Sequence, residues 1–273
     1  MKKDKFTDGD QSYLRDAQYR DPSRLTARAD LHAKYGTAEM RWFPWMAGQI
    51  EWPTDGEILE VGCGPGWLWS EAASQLPIGL RLTLTDLSAG MVDAALDRVS
   101  GVFEVTAGCE ADAQLLPFCR RAFDVVVANH MLYHIPRPGL AVSEFARTLR
   151  PEGVLIAATV GPGHLRELWE IRSEVFEVEP VNRTAEVFGA VTGLPIIQQG
   201  FSSVEWRAYE DRLHCTNPDD VIAFMTSTPP AEDASEQQLR GLHVAVNRRF
   251  EQCGGSFDIS KEVGIFLARD PLQ

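Results

Sequence analysis

The sequence predicts an α/β protein built on a doubly wound, mostly parallel sheet with a helical cap. Three segments carry that expectation. Ile58-Leu59-Glu60-Val61-Gly62-Cys63-Gly64-Pro65-Gly66 reads as a short buried strand that breaks into a glycine-rich turn, and Trp67 to Ala73 then opens a helix. Leu80 to Asp86 alternates around β-branched residues and ends in an acid. Val125 to Ala128 is a continuous apolar run, as expected of a strand covered on both faces.

The remaining elements follow in chain order. Up to about residue 52 two helices are expected, one starting at Asp21-Pro22-Ser23 and carrying Leu25, Ala29, Leu31 and His32. Trp42, Phe43, Trp45 and Met46 form an aromatic stretch before Pro53. The sheet core runs from about Glu57 through Val160. In its first turn three alternate glycines leave no Cβ atoms, so a ligand can approach the backbone, and the free N–H groups of the following helix face the same crevice. Ser88-Ala89-Gly90-Met91 starts a helix with Met91, Ala94, Ala95 and Val99 on one face. Arg137-Pro138-Gly139-Leu140 leads into an amphipathic helix, and Arg150-Pro151-Glu152-Gly153 turns the chain into a strand from Val154 to Val160.

Beyond Gly161-Pro162-Gly163 the periodicity predicts helices over His164–Phe176, Thr184–Val191 (ending at Gly193), Pro218–Met225 and Ser235–Phe250. Strands are expected over Ser203–Leu213 and Glu262–Ala268. The division expected is a helical lid over 1–52, a ligand-binding sheet core over 53–162, a helical cap with a late strand over 163–255, and a final core strand over 256–273.

Composition narrows the function. A hydrophobic content of 44% suits a packed core. A net charge of −13 opposes a broad phosphate-binding surface, so a nucleic-acid substrate is not expected. Cys63, Cys109, Cys119, Cys215 and Cys253 show no spacing for zinc or a redox dithiol, so no metal is expected and the thiols should be reduced. Cys63 should fill the space under the glycine turn. The basic start Met1-Lys2-Lys3-Asp4-Lys5 is followed by no apolar signal core, and no run approaches membrane-span length. The cytoplasm is the compartment expected, with no membrane partner and a homodimer as the assembly to test.

The E-V-G-C-G-P-G loop, Glu60 to Gly66, resembles the first motif of class I S-adenosylmethionine-dependent methyltransferases. A dinucleotide fold competes, but its G-x-G-x-x-G fingerprint needs the third glycine one residue later, and Glu60 would repel a pyrophosphate. Asp86 follows Gly66 by about the twenty-residue interval of a ribose-gripping carboxylate. Ala111-Asp112-Ala113-Gln114-Leu115-Leu116-Pro117-Phe118 is similar to the family's adenine-contacting segment, and Leu149-Arg150-Pro151-Glu152-Gly153 to its turn before the fifth strand.

The resemblance implies a Rossmann-like, seven-stranded sheet with an antiparallel last strand. It implies S-adenosyl-L-methionine as cofactor and S-adenosyl-L-homocysteine as product. The residues it assigns to the cofactor are Glu60, Gly62, Cys63, Gly64, Gly66, Asp86, Leu87, Met91, Ala111, Asp112, Ala113 and Asn129. Glu60 would face the cationic methionine end, Asp86 the ribose diol, Leu87 or Met91 the adenine ring, and Asp112 the adenine amine. Glu110 is close enough for that last assignment to slip by two residues.

Methyl transfer needs alignment and exclusion of water, and a base only where the acceptor must lose a proton. His130 and His134, one turn apart after the fourth strand, are the candidate bases, with Tyr19 as the lid residue. Tyr13, Trp42, Trp45, Trp67, Trp169 and Trp206 are the other aromatic residues expected near the mouth. So aromatic a cap suits a small apolar or aromatic acceptor, as in secondary metabolism. The alternatives are a protein or nucleic-acid methyltransferase, disfavoured by the acidic charge and the lack of an N-P-P-Y-like tetrapeptide, and a non-catalytic cofactor-binding subunit.

Overall fold

The computed structural model describes residues 5–7 and 9–272, with backbone only at 105 and 106. Seven strands form one sheet: β1 (Glu57–Val61), β2 (Arg81–Asp86), β3 (Glu104–Glu110), β4 (Phe123–Asn129), β5 (Leu149–Val160), β6 (Phe201–Cys215) and β7 (Phe257–Pro271). Their order is β3-β2-β1-β4-β5-β7-β6. The first five pair in parallel, and β7 runs antiparallel to both β5 and β6. The doubly wound sheet with one reversed strand is therefore present. The strand order reverses between β1 and β4, which opens a crevice at their carboxyl ends.

Both faces are covered because both faces are apolar. On one side α3 (Trp42–Ala47), α4 (Trp67–Glu71) and α5 (Ala89–Val99) bury Met46, Trp69 and Val99 against Leu82, Val125 and Val127. On the other, α6 (Pro138–Thr148), α8 (Arg183–Phe188) and α9 (Gly193–Ile197) bury Phe145, Phe188 and Ile197 against Leu59, Val126 and Leu155. Ser88 caps α5 by accepting from the Met91 N–H, as its position before an apolar periodicity predicts.

A third core forms the cap, and the two last strands explain how it is held. Residues of β7 from Val263 to Ala268 pair with β5, but Phe257 to Glu262 run past the end of β5 and pair only with β6. The resulting ribbon rises above the carboxyl ends of the sheet. Around it pack α2 (Ser23–Tyr35), α7 (Arg166–Phe176), α10 (Pro218–Thr226) and α11 (Glu236–Gln252), burying Leu31, Ile171, Val221 and Val246 with Leu213 and Ile259. Burying four such side chains contributes about 1.5–3 kcal/mol each. Before α2, the short α1 (Gln11–Tyr13) runs into a wide helical turn over Leu14–Gln18.

The expected helix over Thr184–Val191 is corrected. It stops at Phe188 because the Thr192 hydroxyl donates to the Ala185 carbonyl (2.8 Å) while accepting from the Gly189 N–H (2.8 Å). Gly193, expected as a terminator, instead opens α9.

Candidate active site

A cavity of about 1410 Å³ lies at the carboxyl ends of β1, β2 and β4, under the cap. All the residues assigned to the cofactor line it except Gly66. The three glycines of the turn do different jobs. A Cβ on Gly62 would sit 2.8 Å from Met131 Cβ, and one on Gly66 3.1 Å from Ala95 Cα, so both are small because protein packs on them. A Cβ on Gly64 would meet only Leu25, at 3.7 Å, and would otherwise project into open space. All three have positive φ (69°, 51° and 73°), the left-handed region that favours glycine. Arg98 Nε donates to the Pro65 carbonyl (2.7 Å) and pins the turn from behind.

Asp86 binds the turn to the next strand. Its carboxylate accepts the Gly64 N–H (3.0 Å) and the Ser88 N–H (2.9 Å), which leaves a lone pair on each oxygen for hydroxyls. Burial raises its pKa against those bonds. Glu60 is 2% exposed and accepts the indole N–H of Trp69 (2.6 Å); burial pushes its carboxyl up to about 8. Cys63 is buried beneath the turn. Asp112 already has donors: the Gln114 N–H (2.9 Å), the Gln114 amide (3.1 Å) and Gln11 Nε2 of α1 (3.2 Å). Burial raises the Asp112 carboxyl, but these bonds outweigh it and hold the group below its usual value. Gln11 and Gln114 thus give protein donors to the carboxylate that the resemblance assigns to the adenine amine. Asn129 Oδ1, by contrast, is buried, lines the cavity and has no partner among the described residues.

The two candidate bases differ. His134 is 8% exposed, and both its ring nitrogens are engaged. Nδ1 bonds the Phe6 carbonyl (3.0 Å) and must therefore carry the proton, so Nε2 accepts the Tyr19 hydroxyl (2.8 Å). The pair ties the N-terminal segment around Phe6 and Tyr19 to the Leu132–His134 turn after β4, which is a tethering geometry. His130, at φ 56°, packs its ring 5.2 Å from Trp42 and makes no ring hydrogen bond among the described residues. Burial holds His130 at about 4 and His134 at about 3, so both are uncharged and weakly basic at neutral pH.

Of the seven aromatic residues expected at the mouth, Tyr19, Trp42, Trp67 and Trp169 line the cavity. Tyr13 instead bonds Glu232, Trp45 stacks on Trp42 (5.4 Å), and Trp206 packs on Phe266 (4.8 Å) at the far end of the sheet. Sequence reading missed Arg28, His164, Asn182, Asp211 and Lys261, which also line the cavity. The Arg28/His32 spacing of four on a predicted helix was the one signal available for them. Lys261 and Asp211 form an ion pair (2.5 Å; side chains 8% and 1% exposed) on the projecting ribbon. Asp211 also accepts the N–H groups of Thr37 (2.8 Å) and Ala38 (2.9 Å), fastening the α2–α3 linker over the site.

Comparison with known proteins agrees with this geometry. Residues 59–157 match the family described as Methyltransferase domain. The malonyl-[acyl-carrier protein] O-methyltransferase of Hahella chejuensis is 35% identical over 127 residues, 46% of this chain and 44% of that protein. The enzyme of the same name from Gallionella capsiferriformans is 29% identical over 150 residues, 53% of this chain and 51% of that protein. The chain thus spans about half the length of the curated relatives it matches. Among solved structures, phosphoethanolamine N-methyltransferase 2 of Haemonchus contortus, in complex with S-adenosyl-L-methionine, superposes with a TM-score of 0.57 at 20% identity. That match covers 96% of this chain and 60% of that one. The [4+2]-cyclase SpnF superposes at 0.55 with 17% identity, covering 92% and 95%, so the fold alone does not decide the chemistry. Residues 59–157 thus match the Methyltransferase domain family, and the sheet order and glycine turn give the chain the Rossmann-like fold of class I S-adenosylmethionine-dependent methyltransferases.

Proposed function

We propose that this chain transfers a methyl group from S-adenosyl-L-methionine to a small acceptor held under the cap. The observation that carries the reading is the single cavity of about 1410 Å³ joining the glycine turn to the aromatic cap. Small-molecule sites span roughly 300–1,000 Å³, so there is room for a cofactor and an acceptor side by side. The residues present fit the cofactor. Gly64 leaves a cradle that a side chain would fill, Asp86 has two oxygens with lone pairs to spare, and Asn129 Oδ1 is an acceptor awaiting a donor. A carboxylate at Glu60 is suited to a cationic neighbour, which would favour its ionised form.

Bound beside Asp86 and the Gly64 cradle, S-adenosyl-L-methionine would supply an electrophilic methyl for an acceptor's lone pair, with S-adenosyl-L-homocysteine as the leaving product. The chain contributes positioning and dryness. Tyr19 and Phe6, held by His134, close one side, while Trp42 and His130 wall the other. Neither imidazole is basic enough to be an efficient base near neutral pH, which supports proximity as the main contribution. A carrier-bound acyl group is the second reading of the acceptor, favoured by the names of the two relatives; a secondary-metabolism acceptor rests on the aromatic cap alone. The test is S-adenosylhomocysteine release over a panel of small acids, phenols and acyl thioesters. Cofactor binding without turnover on any of them would favour a non-catalytic subunit.

A further inference from the structure

The buried polar atoms that lack partners are concentrated in this cavity. Seven such side-chain atoms occur among the described residues, and five belong to residues of the cavity wall. Asn129 Oδ1 lies at the cofactor end. The other four are nitrogens: Arg28 Nη2, His32 Nδ1, Trp42 Nε1 and Asn182 Nδ2. Those of Arg28, Trp42 and Asn182 can only donate. A buried donor left unpaired costs about 1–3 kcal/mol, so several in one wall point to a ligand that accepts.

Charge sharpens the point. Lys261 is neutralised by Asp211, and burial keeps His32 (about 3), His130 (about 4) and His164 uncharged. Arg28 has no carboxylate partner among the described residues. Among the described residues its one hydrogen bond runs from Nη1 to the Ser227 carbonyl at 3.4 Å, and its guanidinium lies over the rings of Phe6 (5.7 Å) and Tyr19 (5.4 Å). His32 sits one helical turn further along α2, stacked on His164 (6.0 Å, 17°) and edge-on to Phe224 (5.9 Å). A guanidinium with no carboxylate partner among the described residues matches a negative charge, and its planar fork matches a carboxylate better than a point charge would.

We infer that Arg28, with His32 and Trp42, forms an anion-binding subsite that holds the acceptor, and that the acceptor is a small monocarboxylate with an apolar or aromatic body. The inference rests on the methyl-transfer reading and deepens it. Phe6, Tyr19, Trp169 and Phe224 supply the apolar surface, and the carboxylate supplies the acceptor oxygens that the orphaned donors lack.

The test uses the full chain saturated with S-adenosylhomocysteine and titrated with benzoate, cinnamate and octanoate, each beside its uncharged primary amide. At least one acid should bind tenfold or more tightly than its amide. Arg28→Gln should erase that preference, a loss of roughly 10- to 100-fold for a charged hydrogen bond, while S-adenosylhomocysteine still binds. Arg28→Lys, which keeps the charge and guards against a misfolded glutamine variant, should retain part of it. Normal S-adenosylhomocysteine binding with acids no better than amides, or with no acid bound at millimolar concentration, would overturn the inference alone. Failure of the wild-type chain to bind S-adenosylhomocysteine would overturn the methyl-transfer reading and this inference with it.

Discussion

Alanine at each glycine of the β1–α4 turn should separate ligand space from backbone geometry. All three positions have positive φ, so alanine costs about 1–2 kcal/mol at each for the left-handed conformation. For Gly64→Ala little is added, because the new methyl meets only Leu25 at ordinary contact distance. The stability loss should therefore stay near that value, a melting shift of roughly 2–8 °C for a chain of this size. Gly66→Ala adds a contact of 3.1 Å to backbone Ala95 Cα and should cost more, by about 1–3 kcal/mol of overpacking. Binding should rank the other way. The Gly64 methyl occupies cofactor space and should lower S-adenosylhomocysteine affinity at least tenfold for every 1.4 kcal/mol of clash. Differential scanning fluorimetry and calorimetry on the two variants would decide. If Gly64→Ala binds like the wild type, or melts as early as Gly66→Ala, the assignment of the Gly64 gap to the cofactor is wrong.

His130→Ala and His134→Ala should each lower turnover less than about tenfold, and His134→Ala should also weaken cofactor binding by releasing Tyr19 and Phe6; a drop of 10²–10⁴ in turnover alone would restore a histidine base. Lys261→Met should destabilise the fold by about 3–5 kcal/mol, because Asp211 would remain charged and buried, and a melting temperature unchanged in that variant would refute the ion pair's role. Stability should also depend on pH in two opposing ways. His32, His130 and His134 have folded pKa values of about 3 to 4 against an unfolded value near 6.5, so their contribution is complete above about pH 6.5 and is lost as pH falls through 4 to 3. Glu60 is raised to about 8 from 4.5, so its contribution is complete below pH 4.5 and is lost as pH rises through 8. Chemical denaturation of the ligand-free protein should show falling stability from pH 6.5 to 8, and Glu60→Gln should flatten that limb.

The cofactor end was legible in the sequence because its constraints are local. A strand, a turn too tight for side chains and an acid at the next strand's end are written in consecutive residues. The cap end was not. Arg28, Asn182, Asp211 and Lys261 come from four distant segments, and only the projecting β6–β7 ribbon gathers them. Both strands of that ribbon proved longer than the predicted Ser203–Leu213 and Glu262–Ala268: β6 gains two residues at each end, and β7 gains Phe257–Lys261 and Arg269–Pro271, where Asp258, Lys261, Arg269 and Asp270 blur the apolar signal. Strand β3 has no strong signal of its own: it is acidic at both ends and holds Gly108, where a Cβ would sit 2.8 Å from Leu96. His130 and His134 look equivalent by spacing, and only the bonds to Phe6 and Tyr19 distinguish the tether from the open ring.

The central claim is that the carboxyl ends of β1 and β2 cradle S-adenosylmethionine, and calorimetry on the wild type and Asp86→Ala tests it most directly. The wild type should bind S-adenosylhomocysteine one-to-one and leave NAD unbound. Asp86→Ala removes the carboxylate that holds the Gly64 and Ser88 N–H groups and would meet the ribose, at about 1.5–3 kcal/mol, or roughly 10- to 150-fold in affinity. Equal affinity in the two proteins, or a wild type that binds NAD in place of S-adenosylhomocysteine, would contradict the account.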